Sequence, residues 1–391
     1  MENQSNWIKL VEEEEPPATD FLQDFWRSLE PTLPDSLKFL EGASVKSLSS
    51  NKSYLLALMT TPKGENIVAK LDLESYEMEF SGEPFSLTKR ESIVLNSIEN
   101  LEIAPKVIHF YDKDTEDAQT PEEERFPSAL FTTLEGLGNN LSDQPVQEWW
   151  ESYKEDLIKV LAKLHNEDSK GGLNESFHFK EWLNSFVFNE DNIAEFILEP
   201  HTNESLFELM DILQSACNKI LENLDENKFV LCHNNLSKSS VLHNPSTDSK
   251  FKLINFHKAI VGPPELDAHS IYHRLGLEEY DIRSGGIKNP IQEIKNLYLR
   301  HTGRALDFSP DFKFINTVQR IMMLLFENNM PPMILYQSNL NMKYAKRRAE
   351  FEFLKRRLFS IIIDDSFSCK SDFSRYTSQN MLPFSELILY G

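Results

Sequence analysis

The chain has 391 residues, 40% of them hydrophobic, and its 40 basic against 62 acidic side chains give a formal net charge of −22. That is an ordinary globular composition, and its charge disfavours non-specific attraction to nucleic acid or to anionic membranes. No run approaches the roughly 20 apolar residues of a membrane-spanning helix. The acidic opening, MENQSNWIKLVEEEEPPATD, matches neither a secretory signal nor an Arg-rich transit peptide, so a cytoplasmic location is expected. Cys217, Cys232 and Cys369 are far apart and odd in number. They fit buried thiols in a reducing compartment better than a disulfide framework or a zinc site.

In chain order, residues 1–35 read as an acidic, partly flexible lead-in, with the run Glu12 to Glu15, then Pro16 and Pro17, and a short helix around FLQDFWRSL. Two β-rich runs follow, SYLLALMTT and NIVAKLDL, and Pro62 and Gly64 between them predict a hairpin turn. In SLTKRESIVLNSIENL, Val94, Leu95, Ile98 and Leu101 share one helical face. KVIHFYD and SALFTTLEG read as two further strands joined by a polar, acidic loop. The order is β-β-α-β-β, a small antiparallel sheet with one helix. From residue 144 the period becomes helical: Val146, Trp149, Trp150, Tyr153, Leu157, Val160, Leu161 and Leu164 recur at three- and four-residue steps. Ser142 or Asp143 is a candidate cap, and Pro145 suits a first turn. A second such helix, Asn203 to about Leu224, buries Leu206, Met210, Leu213, Cys217, Ile220 and Leu224, and residues 167–200 between the two are aromatic-rich and irregular. The chain ends in further helix, KYAKRRAEFEFLKRRLFSIII.

Residues 229–259, FVLCHNNLSKSSVLHNPSTDSKFKLINFHKA, have the layout strand, His-initiated loop, short strand, turn, strand, tail. In order and spacing, this stretch and its neighbours resemble the aminoglycoside phosphotransferase and choline kinase-like family over roughly residues 40–280. The family's LCHGDLHPGNIL is here LCHNNLSKSSVL, residues 231–242; its VIDFEDA is LINFHKA, residues 253–259; its GDPAYDLA is GPPELDAH, residues 262–269. Lys70 in IVAK and Glu91 in KRES match the family's N-lobe lysine and helix glutamate. Ala104–Pro105 matches its helix-to-strand passage, and LIKVLAKLHN, residues 157–166, its LARLH helix end. Each match is weak alone, and their shared order makes the fold signal strong. The resemblance implies an α+β, bilobal protein kinase-like fold: a small antiparallel β N-lobe with one helix over 36–136, a hinge near Leu134–Gly138, and a larger, mostly helical C-lobe over 137–391.

The resemblance also implies phosphoryl transfer, in which one Asp orients the attacking hydroxyl and accepts its proton while an Asn and a second Asp hold the metal against the phosphates. Carried over by position, the base falls on Asn235 and the metal ligands on Ser240 and Asn255, so all three are changed. A neutral amide orients a hydroxyl but cannot take its proton, and general base catalysis contributes about 10²–10⁴ in rate. Mg²⁺ relies on one or two carboxylates beside the phosphates; Ser240 and Asn255 bring no charge, so weak or no magnesium binding is expected. The phosphate-covering turn matches SLSSNKSY, residues 47–54, which has no glycine. Ser49, Ser50 and Asn51 remain there as donors. Lys70 and Glu91 survive, so binding of ATP stays open while turnover is not expected. His233 is read as a brace of the loop backbone.

Other features have plainer readings. His257 is read as a packed histidine rather than a replacement metal ligand, and Asp267 as a helix cap that pins its loop. His269 and His273 form an i, i+4 pair without the further ligands zinc needs. In KYAKRRAEFEFLKRRL, Lys346–Glu350, Arg348–Glu352 and Glu352–Arg356 at i, i+4 describe a solvated face rather than a dock for an acidic partner. Trp149 and Trp150 are assigned to core and lobe-interface packing rather than to a ligand cage. The function expected is that of a catalytically impaired pseudokinase acting through nucleotide or protein binding, with no nucleic-acid or membrane partner. The alternative is an active ATP-dependent phosphotransferase on a small hydroxylated molecule, with an atypical metal site.

Overall fold

The computed structural model describes Trp26 and residues 33–50, 54–72, 78–80, 83–116, 126–134, 137–141, 145–166, 173–174, 177–188, 204–247, 250–285, 288–326 and 342–377. They divide into two compact units: residues up to Asn174 with 230–261 and 270–305, and residues 175–229, 262–269 and 306 onward. No helix among the described residues is long and apolar enough to cross a membrane. All three cysteines are buried and free.

The first unit is built on a five-stranded antiparallel sheet, β1 (Ser44–Ser50), β2 (Tyr54–Thr60), β3 (Asn66–Asp72), then β6 (Val107–Tyr111) and β7 (Ala129–Thr133), in the order β1-β2-β3-β7-β6. A short pair, β4 (Met78–Phe80) and β5 (Glu83–Phe85), follows β3. The β2–β3 hairpin closes as predicted, with Gly64 at φ +82° and Thr61 N–H donating to the Glu65 carbonyl. Strand alternation puts Leu55, Ala57 and Met59 on the buried face of β2, where they join Val45, Ile67, Ala69, Leu71, Tyr111 and Phe131 in one core. Trp26, the described residue of the acidic lead-in, is buried edge-on against Phe126.

Two strand regions depart from the sequence reading. The phosphate-covering turn proposed for 47–54 is strand as far as Ser50 and strand again from Tyr54. A bulge between Ser47 and Ser49 sends Leu48 into the core and leaves Ser49 and Ser50 opposite Leu56 and Leu55. The polar Ser-rich composition hid a strand whose buried positions, among the described side chains, are Val45 and Leu48. The β4–β5 pair was likewise missed, being three residues a side.

The Leu87–Ser97 helix begins on an N-cap: Ser86 Oγ accepts from Lys89 N–H at 3.1 Å. Asp72 Oδ2, at the end of β3, accepts from Ser86 Oγ at 2.5 Å and from Thr88 Oγ1 at 2.7 Å. Burial raises the Asp72 pKa, and these two donors oppose the rise. This tether holds the start of the helix to Asp72, which is two residues along the chain from Lys70. Val94, Leu95 and Ile98 are buried, as the helical period requires, whereas Leu101 lies in the following 3-10 turn and is half-buried.

Beyond the sheet, the Val146–Leu164 helix buries Trp149, Trp150, Leu157, Val160, Leu161 and Leu164. Trp150 Nε1 donates to Glu293 Oε2 at 2.8 Å, on the adjoining Pro290–Thr302 helix. Four short strands follow the pattern read from the motif: β9 (Val230–Cys232), β10 (Val241–His243), β11 (Phe251–Leu253) and β12 (Ile260–Gly262), with β10 between β11 and β8 (Asn139–Asn140) and β12 beside β9. Gly138, just before β8, has φ +77°, and a Cβ there would lie 2.4 Å from the His243 carbonyl oxygen. Only glycine permits β8 to approach β10 this closely.

In the second unit the Glu204–Glu222 helix buries Leu209, Met210, Leu213, Cys217 and Ile220, while Leu224 lies beyond its end and is half-buried. Leu206 lies among side chains outside those described. Helices Pro310–Phe326 and Met342–Ile362 pack together, and Phe314, Phe367 and Phe373 form an aromatic cluster. Residues 179–187, read as irregular, are helical. On the last long helix, Glu350 meets Arg320 of the Pro310–Phe326 helix, and Glu352 meets Lys355 at 3.0 Å. The side chains of Lys346 and Arg348 lie outside those described.

Candidate functional site

Register explains how the site assembles. Lys70 pairs with Leu56 across the β2–β3 ladder, so Tyr54, two residues from Leu56, is its diagonal neighbour on the same face. One turn into the tethered helix, Glu91 comes within reach of the same lysine. Lys70 Nζ lies 2.7 Å from Glu91 Oε2, 3.2 Å from His257 Nδ1 and 4.2 Å from the centroid of the Tyr54 ring. Both charged side chains are almost closed to solvent, at 5% for Lys70 and 7% for Glu91. Burial pushes the Lys70 pKa down, the Glu91 carboxylate pushes it up, and the net shift is upward, so the ammonium is charged. Glu91 Oε1 accepts from the Phe256 backbone N–H at 3.0 Å, and Arg90 Nη2 donates to the Ala259 carbonyl at 2.5 Å. Burial lowers the Arg90 pKa to about 9. Consecutive side chains of one helix thus grip the backbone after Asn255.

The catalytic-loop segment is equally determined. His233 is fully buried; its Nδ1 accepts from Asn235 N–H at 3.2 Å, which leaves the proton on Nε2 to donate to the Ile254 carbonyl at 2.8 Å. Asn234, at φ +59°, donates its amide to the Lys258 carbonyl at 3.2 Å. Asn235 Oδ1 accepts from Arg274 Nη1 at 2.7 Å. Ser240 Oγ accepts from Ser237 N–H at 2.7 Å and lies 3.0 Å from the Asn235 carbonyl and 3.2 Å from that of Ser237. Asn255 sits in the left-handed region at φ +67°, ψ +53°, a conformation Asn adopts more readily than most residues.

Lys70, Glu91 and His257 therefore form one cluster, and His233, Asn235 and Ser240 a second. Ser49 and Ser50 end β1, with side chains outside those described, and Asn51 lies outside the described residues. Asp267 is buried in the first turn of the Glu265–Arg274 helix. His273 pairs with Glu278 at 2.7 Å, whereas His269 packs on Phe308 at 4.5 Å, so each of these two histidines has a partner of its own. Sequence reasoning missed Tyr54 and Arg274. The hairpin register could have found Tyr54; nothing in the sequence joins Arg274 to a residue 39 positions away.

Positions 235, 240 and 255 hold no carboxylate. Position 235 carries an amide whose oxygen faces a guanidinium, the Ser240 hydroxyl is folded into its own turn, and Asn255 is neutral. Of the charged groups that act on His257, Lys70, Lys258 and Arg90 are cationic, and the Glu91 carboxylate is paired with Lys70.

His257 is uncharged at neutral pH. Burial, then the positive charges of Lys70, Lys258 and Arg90, hold its pKa well below the usual imidazole value, and Glu91 Oε2 at 4.0 Å does not offset them. As pH falls, the unfolded chain takes up this proton first. The resulting stability is complete above about pH 6.5 and is lost below it, with a slope of up to about 1.4 kcal/mol per pH unit. His257→Phe is expected to remove this component between pH 7 and 5.5. Equal pH slopes for variant and wild type in urea unfolding would exclude a buried neutral imidazole.

The antiparallel sheet with the Leu87–Ser97 helix, the loop–strand–turn–strand segment and the helical remainder define a protein kinase-like α+β fold. Among solved structures, this is the fold of aminoglycoside phosphotransferases and of choline and ethanolamine kinases. A candidate aminoglycoside phosphotransferase of Ralstonia eutropha JMP134 is similar over 86% of this chain and 97% of its own, with a TM-score of 0.55 and 13% identity. Choline kinase LicA of Streptococcus pneumoniae is similar over 85% and 99%, at 0.54 and 12%. Choline kinase of Cryptosporidium parvum Iowa II is similar over 87% and 96%, at 0.52 and 13%. No protein-family model and no curated protein sequence matches the chain.

Proposed function

We propose that this chain is a pseudokinase of the aminoglycoside phosphotransferase-like fold, impaired in phosphoryl transfer and acting through what it binds. The observation that carries this reading is Arg274 Nη1, 2.7 Å from Asn235 Oδ1. Where a general base would collect a proton, a fixed cation meets a neutral amide, and the two neighbouring metal positions add no negative charge. The ligands in view are a nucleotide held without a metal ion and a protein partner. The formed Lys70–Glu91 pair favours the second reading, an active phosphotransferase with an atypical metal site, because that pair must be in place for transfer in kinases.

Thermal unfolding with ATP, alone and with Mg²⁺ or Mn²⁺, separates the two. A ligand at 100 times its Kd adds about 2.7 kcal/mol to the folded state. The pseudokinase reading expects metal to add nothing to the shift, and no γ-phosphate release. Stabilisation that appears only with the metal, accompanied by transfer to a small alcohol or amino-alcohol, would replace it with the active reading.

A further inference from the structure

An ammonium group has three protons to donate, and those of Lys70 are engaged. Glu91 Oε2 takes one at 2.7 Å, His257 Nδ1 takes another at 3.2 Å, and the third side is covered by the face of Tyr54, with its centroid at 4.2 Å. A phosphate oxygen approaching this lysine must therefore displace something. Glu91 is a poor candidate, since its charge is fixed by Lys70 and its second oxygen by the Phe256 N–H. The Tyr54 ring supplies a π-face, which shields the ammonium without an acceptor atom of its own. His257 is the neutral acceptor and makes the longer of the two hydrogen bonds. It also stands on a single 3-10 turn, Phe256–Lys258, that follows the left-handed residue Asn255.

We propose that His257 acts as a built-in occupant of a phosphate site on Lys70, so that a phosphate-bearing anion binds there without a metal ion and only by displacing the imidazole. This rests on the pseudokinase reading for the absence of the metal, and deepens it by naming the ligand class and the contact that opposes it. Lys70 would gain an anionic acceptor in place of a neutral one, within reach of the positive charges of Lys258 and Arg90 that already act on the imidazole. Displacing the imidazole breaks its bond to Lys70, so wild-type affinity is low.

The probe is inorganic tripolyphosphate in EDTA, measured by calorimetry on the full chain. His257→Ala removes both acceptor and bulk and is expected to bind at least about tenfold more tightly than wild type, a gain of about 1.4 kcal/mol. His257→Asn, whose Oδ1 can stand where Nδ1 stood, is expected to remain close to wild type. Adding Lys70→Met to His257→Ala is expected to abolish the gain. The proposal is overturned when folded His257→Ala binds no more tightly, or when its gain survives the loss of Lys70. Should His257→Ala fail to fold, His257→Val removes the acceptor with a smaller void and carries the same expectations. In wild type, saturating tripolyphosphate must also move the ¹⁵N signals of the His257 ring, and unmoved signals overturn displacement. Magnesium-dependent turnover by wild type would sink the pseudokinase reading separately, since the metal-free affinity comparison does not depend on it.

Discussion

Lys70→Met is expected to destabilise the unit that contains it by about 3–5 kcal/mol, the usual cost of leaving one member of a buried ion pair uncompensated. The two side chains are 5% and 7% exposed, so water cannot take the place of the lost partner. Glu91→Leu should be at least as costly, because it strands the lysine and removes the acceptor of the Phe256 N–H, itself worth about 1–3 kcal/mol when left buried and unsatisfied. Replacing both residues together removes both charges at once, and apolar substitution of a buried pair is often close to neutral. The double variant should therefore be less destabilised than the sum of the singles by about 2 kcal/mol or more, within the range of coupling energies for contacting residues. Urea unfolding with an unchanged m-value measures the cycle. Single changes costing under about 1 kcal/mol would mean that the pair behaves as an exposed one.

Restoring the missing side chains is expected to fail while Arg274 remains. Take Asn235→Asp, Ser240→Asn and Asn255→Asp together, in a His257→Ala background that frees Lys70. Asn255→Asp is compatible with the left-handed backbone, which Asp also tolerates. The new carboxylate at 235, however, would face a guanidinium now 2.7 Å from the amide oxygen. An adjacent Arg lowers a carboxylate's pKa by about 1–3 units, which weakens it as a base and holds it away from an incoming hydroxyl. Magnesium-dependent stabilisation by ATP is expected to return in this variant, with ATP hydrolysis near background. Adding Arg274→Ala should then raise hydrolysis by about 10²-fold, the lower end of what general base catalysis contributes. Hydrolysis to water is the readout because it requires no knowledge of an acceptor. Equal rates with and without Arg274 would show that this guanidinium does not restrain position 235.

Much of the architecture is legible in local sequence because the signals are local. The Leu87–Ser97 helix shows in its apolar spacing, the β2–β3 hairpin in Pro62 and Gly64, and the 229–259 segment in its alternation of short apolar runs and turns. β1 escaped because a strand with one interior side and a bulge carries few apolar residues. β4 and β5 escaped because three-residue strands leave too few positions for a period.

Which chemical groups stand at positions 70, 91, 235, 240 and 255 was decided by the sequence, and with it the loss of negative charge, since no arrangement turns an amide into a carboxylate. What those groups touch was decided by the fold. Arg274 reaches Asn235 across 39 residues and His257 reaches Lys70 across 187, and such contacts leave no trace in local pattern. They arise because packing an apolar helix on a sheet fixes backbones, and each buried polar atom must then find whichever partner the packing has brought within 3 Å or so.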